Sequence, residues 1–131
     1  MPMTSEIDVD RGLVFTRLVG PVSAAEVDEH NRNLAKDPQF NPRFRQLVDV
    51  TELTRLHDAG EVRKSAEEHV FSPGVRRALV ASSEAAFGMS RMFAIQSESA
   101  GQKIGVFRDM ETAKAWLDET PWRSPRTAHQ T

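Results

Sequence analysis

Apolar and polar positions alternate with period two at the start of the chain and recur at helical spacing further along, and these changes of period mark out successive elements. In Glu6-Ile7-Asp8-Val9 apolar and acidic residues alternate as in a half-buried strand, and Asp10-Arg11-Gly12 reads as a tight turn. Leu13, Phe15, Arg17 and Val19 then share one face of a second strand, with Val14, Thr16 and Leu18 on the other. The two strands are predicted to form an antiparallel hairpin that Gly20-Pro21 ends. Ser23, with Glu26 three positions on, has the capping-box pattern and starts a predicted helix of about 14 residues. Its apolar stripe is thin, Ala24, Val27, Leu34 and Ala35, while Asp28, Glu29, Arg32 and Lys36 are expected to face away.

The prolines of Asp37-Pro38-Gln39-Phe40-Asn41-Pro42 require a loop, with Phe40 and Phe44 expected to anchor it to the core. Residues 44–50 read as a third strand around Leu47-Val48, ending in Asp49-Val50-Thr51. Asp58 and Glu61 repeat the capping box ahead of Val62, Ala66 and Val70 at helical spacing, and Ser72-Pro73-Gly74 closes that helix. Ala78-Leu79-Val80-Ala81 is a short apolar run expected to be a buried central strand, with Arg76 and Arg77 where it begins. The most apolar helix follows, carrying Phe87, Met89, Met92, Phe93 and Ile95, with Gly101 as its stop. Residues 104–108 make a last strand, and Asp109 opens a final helix with Ala113, Trp116 and Leu117 that Pro121 ends.

The predicted order is β-β-α-β-α-β-α-β-α. Crossovers of this length require parallel neighbours among the later strands, so the expected fold class is α/β, one domain over residues 1–120 with a mixed five-stranded sheet. Residues 121–131 read as a polar, proline-broken tail, mobile unless Trp122 docks.

Composition narrows the classes. With 131 residues, 39% hydrophobic, 27% charged and a net charge of −2, the chain suits one soluble core. No cysteine is present, which removes disulfides, thiolate metal sites and cysteine nucleophiles and fits a cytoplasmic protein. The N-terminus lacks the basic and apolar regions of a signal peptide, and no apolar run approaches the ~20 residues that span a bilayer, so neither secretion nor membrane insertion is expected. Near-balanced charge gives no overall field for nucleic acid. Residues 75–108 do hold a local excess of three positive charges, but no aromatic-stacking pattern interleaves them as a nucleic-acid platform requires.

Three stretches, Asp37 to Asp49, Phe71 to Ala78 and Phe87 to Phe93, together with Val106-Phe107-Arg108-Asp109, resemble the SpoIIAA-like, or STAS-like, proteins. These are related to bacterial anti-sigma-factor antagonists and to the cytoplasmic domain of sulphate transporters. The resemblance covers about residues 5–119 and implies the same element order in a mostly uncharacterised bacterial family, without supplying an activity. In the antagonists a phosphorylation switch runs from Asp-Leu-Ser at a strand end to Asp-Ser-Ser-Gly at the next helix. Here Asp49-Val50-Thr51 resembles the first part, and His57-Asp58-Ala59-Gly60 takes the place of the second, putting Asp58 at the phosphoacceptor position. Two readings of Asp58 stand, an ordinary N-cap or a permanent carboxylate imitating a phosphorylated state.

No nucleophile elbow, phosphate loop, dinucleotide fingerprint or H-E-x-x-H helix is present, so no catalytic residues, cofactor or metal site are expected and the protein reads as a non-enzyme. His57, Asp58 and Glu61 form the densest titratable cluster, consistent with a solvated helix start. Two functions are expected. One is a regulatory or protein-interaction module using a partner surface around Thr51, His57, Asp58 and Gly60. The other is a carrier or sensor for a lipid or other small hydrophobic molecule. Phe87, Met89, Met92 and Phe93 would then line its pocket, and Arg91, expected to be partly buried, would hold an acidic head. The protein partner is unspecified, and a homodimer is favoured.

Overall fold

The structure, a computed structural model, describes residues 2–123. Its elements are β1 (Met3–Asp8), β2 (Leu13–Gly20), α1 (Ala24–Ala35), β3 (Arg45–Leu53), α2 (Ala59–Glu67), β4 (Arg76–Val80), α3 (Glu84–Glu98), β5 (Lys103–Phe107) and α4 (Met110–Asp118). Each helix begins where a short polar side chain accepts an N–H of the first turn: Ser23 from Glu26, Asp58 from Glu61, Ser83 from Ala86 and Asp109 from Thr112. At Ser23 and Asp58 the reciprocal carboxylate contact of the predicted capping box is also made.

The five strands form one mixed sheet in the order β1-β2-β3-β4-β5, with β1 antiparallel to β2 and every later pair parallel. Parallel strands added in sequence order must be joined by right-handed crossovers, so α1, α2 and α3 fall on the same face. The buried clusters agree. Val27, Ala86, Phe87 and Phe93 pack with Leu18, Val48, Val50 and Leu79 on that face, while Ala113, Trp116 and Leu117 of α4 pack with Leu47, Ala78 and Val80 on the other. The face assignment read from β2 holds, since Val14, Thr16 and Leu18 are its buried positions.

Three features differ from the sequence expectation. The second helix stops at Glu67 instead of running through Val70, because Glu68 is extended and Ser72 N–H bonds Pro42 O at 2.8 Å. Val70 and Phe71 are thereby carried to a third cluster with Val14, Leu34 and Phe44. Asp28, expected to face solvent, is only 5% exposed, since α2 lies over it and Ser65 Oγ donates to its Oδ1 at 3.2 Å. Trp122 docks, edge-on to Phe44 with ring centroids 4.8 Å apart. Gly12, at φ +59°, permits this closure, because a Cβ there would stand 2.0 Å from Trp122 Cγ. The remainder of the predicted tail, residues 124–131, lies outside the described residues.

Candidate functional site

Between the sheet and its three-helix face lies a cavity of about 90 Å³. Its apolar wall comes from the inward positions of β2, β3 and β4, chiefly Leu18, Val48, Val50 and Leu79, and from Met89 and Phe93 of α3. The helical side of the lining comes from Val27 and Asn31 of α1 and Val62 and Ser65 of α2, with His57 and Glu68 flanking α2.

Polar side chains interrupt that wall at one level of the sheet. Arg77 Nε donates to Gln46 Oε1 (3.0 Å), Gln46 Nε2 donates to Thr16 Oγ1 (3.0 Å), and Thr16 bonds Ser5 Oγ (2.8 Å), which reaches His30 Nε2 (2.8 Å). On its other side Arg77 Nη1 donates to Gln102 Oε1 (3.1 Å), and Gln102 Nε2 donates to Phe71 O (3.1 Å) and His69 Nδ1 (3.3 Å). A line of hydrogen bonds thus runs from His30 on α1 across β1, β2, β3 and β4 to His69 beyond α2. The sheet dictates it, because Gln46 and Arg77 are register partners and Val14, opposite Gln46, leaves room beside Thr16. Burial lowers the His30 pKa, favouring the neutral ring that can accept from Ser5.

Arg77 is the unusual member. It is 6% exposed, its bonded partners are two neutral amide oxygens, and no carboxylate among the described residues pairs with it. Its guanidinium sits 4.6 Å from the Phe71 ring centre and 5.9 Å from that of Phe93. Burial pulls its pKa down to about 10, so it remains a cation at neutral pH.

The residues predicted as a ligand pocket are divided. Met89 and Phe93 line the cavity. Phe87 and Arg91 instead border a shallow surface depression with Ile95, Ile104 and Val106, and Met92 lies in neither lining. Arg91 is exposed, contrary to the expected partial burial, and borders the depression between α3 and β5 rather than the cavity. Arg108, over the Phe87 ring at 4.0 Å, fills the place next to that aromatic.

The predicted partner surface lies along the end of β3 and the start of α2. Thr51 is exposed, with its Oγ1 donating to Asp49 Oδ1 at 2.6 Å. Asp58 and Gly60 are exposed in the first turn of α2, Asp58 as its N-cap. Glu61 closes the box and is paired with Arg55 at 3.3 Å; the Asp58 N–H keeps its carboxyl below the ordinary range. His57 turns inward. Its Nε2 donates to Val22 O at 2.8 Å and its backbone N–H points to Met89 Sδ at 3.3 Å, so it joins the predicted surface to the cavity wall.

Sequence reasoning missed Thr16, Gln46 and Arg77 as site residues. A signal was present, in that each is a polar residue at an inward position of a strand whose next inward residue is Leu18, Val48 or Leu79. Among the described residues no three His, Asp or Glu side chains gather as a metal site, and no helix is long and apolar enough to cross a membrane.

Of the solved structures, an uncharacterised DUF3478-family protein from Shewanella loihica PV-4 is similar to this chain. The two are 22% identical over 88% of this chain and 91% of that one, with a TM-score of 0.57, and the Shewanella protein has a SpoIIAA-like fold. That likeness supports the resemblance read from the sequence at the level of the fold, which is SpoIIAA-like. No protein-family model matches the sequence, and no curated protein matches it.

Proposed function

We propose that this domain is a non-enzymatic binding module, a carrier or sensor whose small-molecule ligand occupies the cavity under α1, α2 and α3. One observation carries the reading: the three-helix face keeps about 90 Å³ of space between apolar walls, beside a buried polar line. Interiors normally leave few voids larger than a water molecule, and retaining one costs packing energy. The volume also sets a size class. An engineered cavity of about 150 Å³ takes benzene, so the space here suits a ligand of a few non-hydrogen atoms, not the acyl chain of a membrane lipid. Of the titratable groups in the lining, His57 Nε2 donates to a carbonyl and Glu68 pairs with Arg32 at 3.4 Å.

Ligand-detected NMR with a library of small fragments tests the reading on the full chain. Saturable binding is expected, and Met89→Trp, which puts an indole into the space, should abolish it in a protein that remains folded. Fragments that bind Met89→Trp as well as the parent would overturn the assignment.

A second reading, a protein-interaction surface along Thr51, Asp58 and Gly60, is favoured by the contact of His57 with Met89 and Val22. Through it, filling of the cavity would be felt at the start of α2. Asp58→Ala should cost about 1 kcal/mol in chemical denaturation as the loss of a cap. Fragment binding should be unchanged, while amide shifts of His57 on fragment addition persist. Absence of any such shift in the parent would remove the link between surface and cavity.

A further inference from the structure

Arg77 presents a physical problem that the fold itself does not answer. A guanidinium transferred from water into an interior loses several kcal/mol of hydration unless charge and hydrogen bonds replace it. Gln46 and Gln102 satisfy Nε and one N–H of Nη1, and the rings of Phe71 and Phe93 face the cation. Nη2 has no acceptor among the described residues, and no anion compensates the charge. The acids nearest the cavity are committed elsewhere. Glu68 is turned outward to Arg32, and Asp28, which is not in the lining, accepts from Ser65, with burial raising its pKa and disfavouring its charge.

The residue also forms part of the cavity wall. It shares that lining with uncharged side chains, Leu18, Val50, Leu79 and Met89, and with one acid, Glu68. A ligand matching both halves needs an anionic, planar head for the fork of N–H groups and a short apolar body.

We propose that the cavity selects a short-chain monocarboxylate, of about three to four carbons by its volume, whose carboxylate pairs with Arg77 while its alkyl end lies against Leu79 and Met89. This rests on the reading of the cavity as a binding site. Gln46 and Gln102 are positioning residues, fixing the guanidinium plane through Nε and Nη1 so that Nη2 is left for the ligand. Loss of water by the carboxylate on entry is offset at a cation that the protein has already desolvated, which is the circumstance in which a charge-assisted pair is strongest.

Propanoate and butanoate, set against propanamide and butanamide, provide the test, by calorimetric titration and by the Met89 methyl resonance of the full-length protein. The acids are isosteric with the amides and differ in charge. Each acid is expected to bind roughly tenfold to a hundredfold more tightly than its amide, the margin of a hydrogen-bonded charge over a neutral partner. Arg77→Met should erase that margin and keep the amide affinity, and Arg77→Lys, which restores the charge without the fork, should recover part of it. Amides that bind as tightly as acids to the parent protein would overturn the role of Arg77 while leaving the cavity a binding site. Failure of all four to move the Met89 methyl would overturn both.

Discussion

The two faces of the sheet are built from the same strands yet reach different ends. Under α4, Leu47, Ala78 and Val80 meet Ala113 and Leu117 in an apolar cluster without interruption. Its arginines, the buried Arg45 and the half-buried Arg76, donate to Leu117 O at 2.8 Å and Trp116 O at 2.6 Å and so satisfy carbonyls at the end of α4, each with a carboxylate at hand, Asp118 at 3.8 Å and Glu119 at 3.0 Å. Under α1, α2 and α3 the strands contribute Thr16, Gln46 and Arg77 at inward positions, and the helices stand off far enough to leave a cavity. On the α4 face the cations are paired with carbonyls and carboxylates beside an apolar core. The other gives up apolar burial for a hydrogen-bonded line and an unpaired cation, which is the composition of a site.

Large-to-small substitutions should expose the contrast most strongly. Leu47 on the α4 face is 2% exposed, and Leu47→Ala should lose about 3 kcal/mol in urea denaturation, as a full set of contacts is removed. Leu79, 7% exposed but bordering the existing cavity, should lose less, about 2 kcal/mol on truncation to Ala. An equal or larger loss at Leu79 would mean that the three-helix face is as tightly packed as its opposite.

An effect smaller than that of Leu47→Ala, and similar to that of Leu79→Ala, is expected from the polar line. Gln46→Leu leaves Arg77 Nε and Thr16 Oγ1 without their buried partner and should cost about 2 kcal/mol. In a double-mutant cycle with Thr16→Val the two losses should not add, because each breaks the same line. Strict additivity would show that the hydrogen bonds act separately.

The smallest effect concerns Asp28, whose carboxyl is raised by burial under α2, with repulsion from Glu68 adding to it. The folded protein thus holds that proton more tightly than the unfolded chain does. Charged Asp28 therefore weakens the fold above its raised value, and the penalty disappears as pH falls to its ordinary value of 3.8. Asp28→Asn should raise the melting temperature slightly at pH 7, with the gain shrinking as the solution is acidified. A gain independent of pH would remove the electrostatic explanation.

The element order and the mixed sheet were legible in the sequence because both follow from local rules. Capping boxes at Ser23 and Asp58 fixed two helix starts, alternation in residues 13–19 fixed the faces of β2, and crossover length fixed the parallel pairs. The site was legible only in part. Met89 and Phe93 were foreseen because they lie on the apolar stripe of α3, but Arg91 was placed with them from proximity in sequence, which on a helix does not mean a shared face. Arg77 was passed over as a residue at a strand's start, although period two from Leu79 and Ala81 already pointed it inward. Asp28 needed knowledge of which helix covers α1, and Trp122 needed the turn at Gly12, contacts that no window of sequence contains.

Methyl resonances of the methionines put the difference between the faces to its most direct test. Met89 lines the cavity on the three-helix side, and Met110 packs into the α4 cluster. On titration of the protein with butanoate, the Met89 methyl should shift saturably while that of Met110 stays in place. A static Met89 methyl, or equal movement of both, would contradict the assignment of binding to the three-helix face.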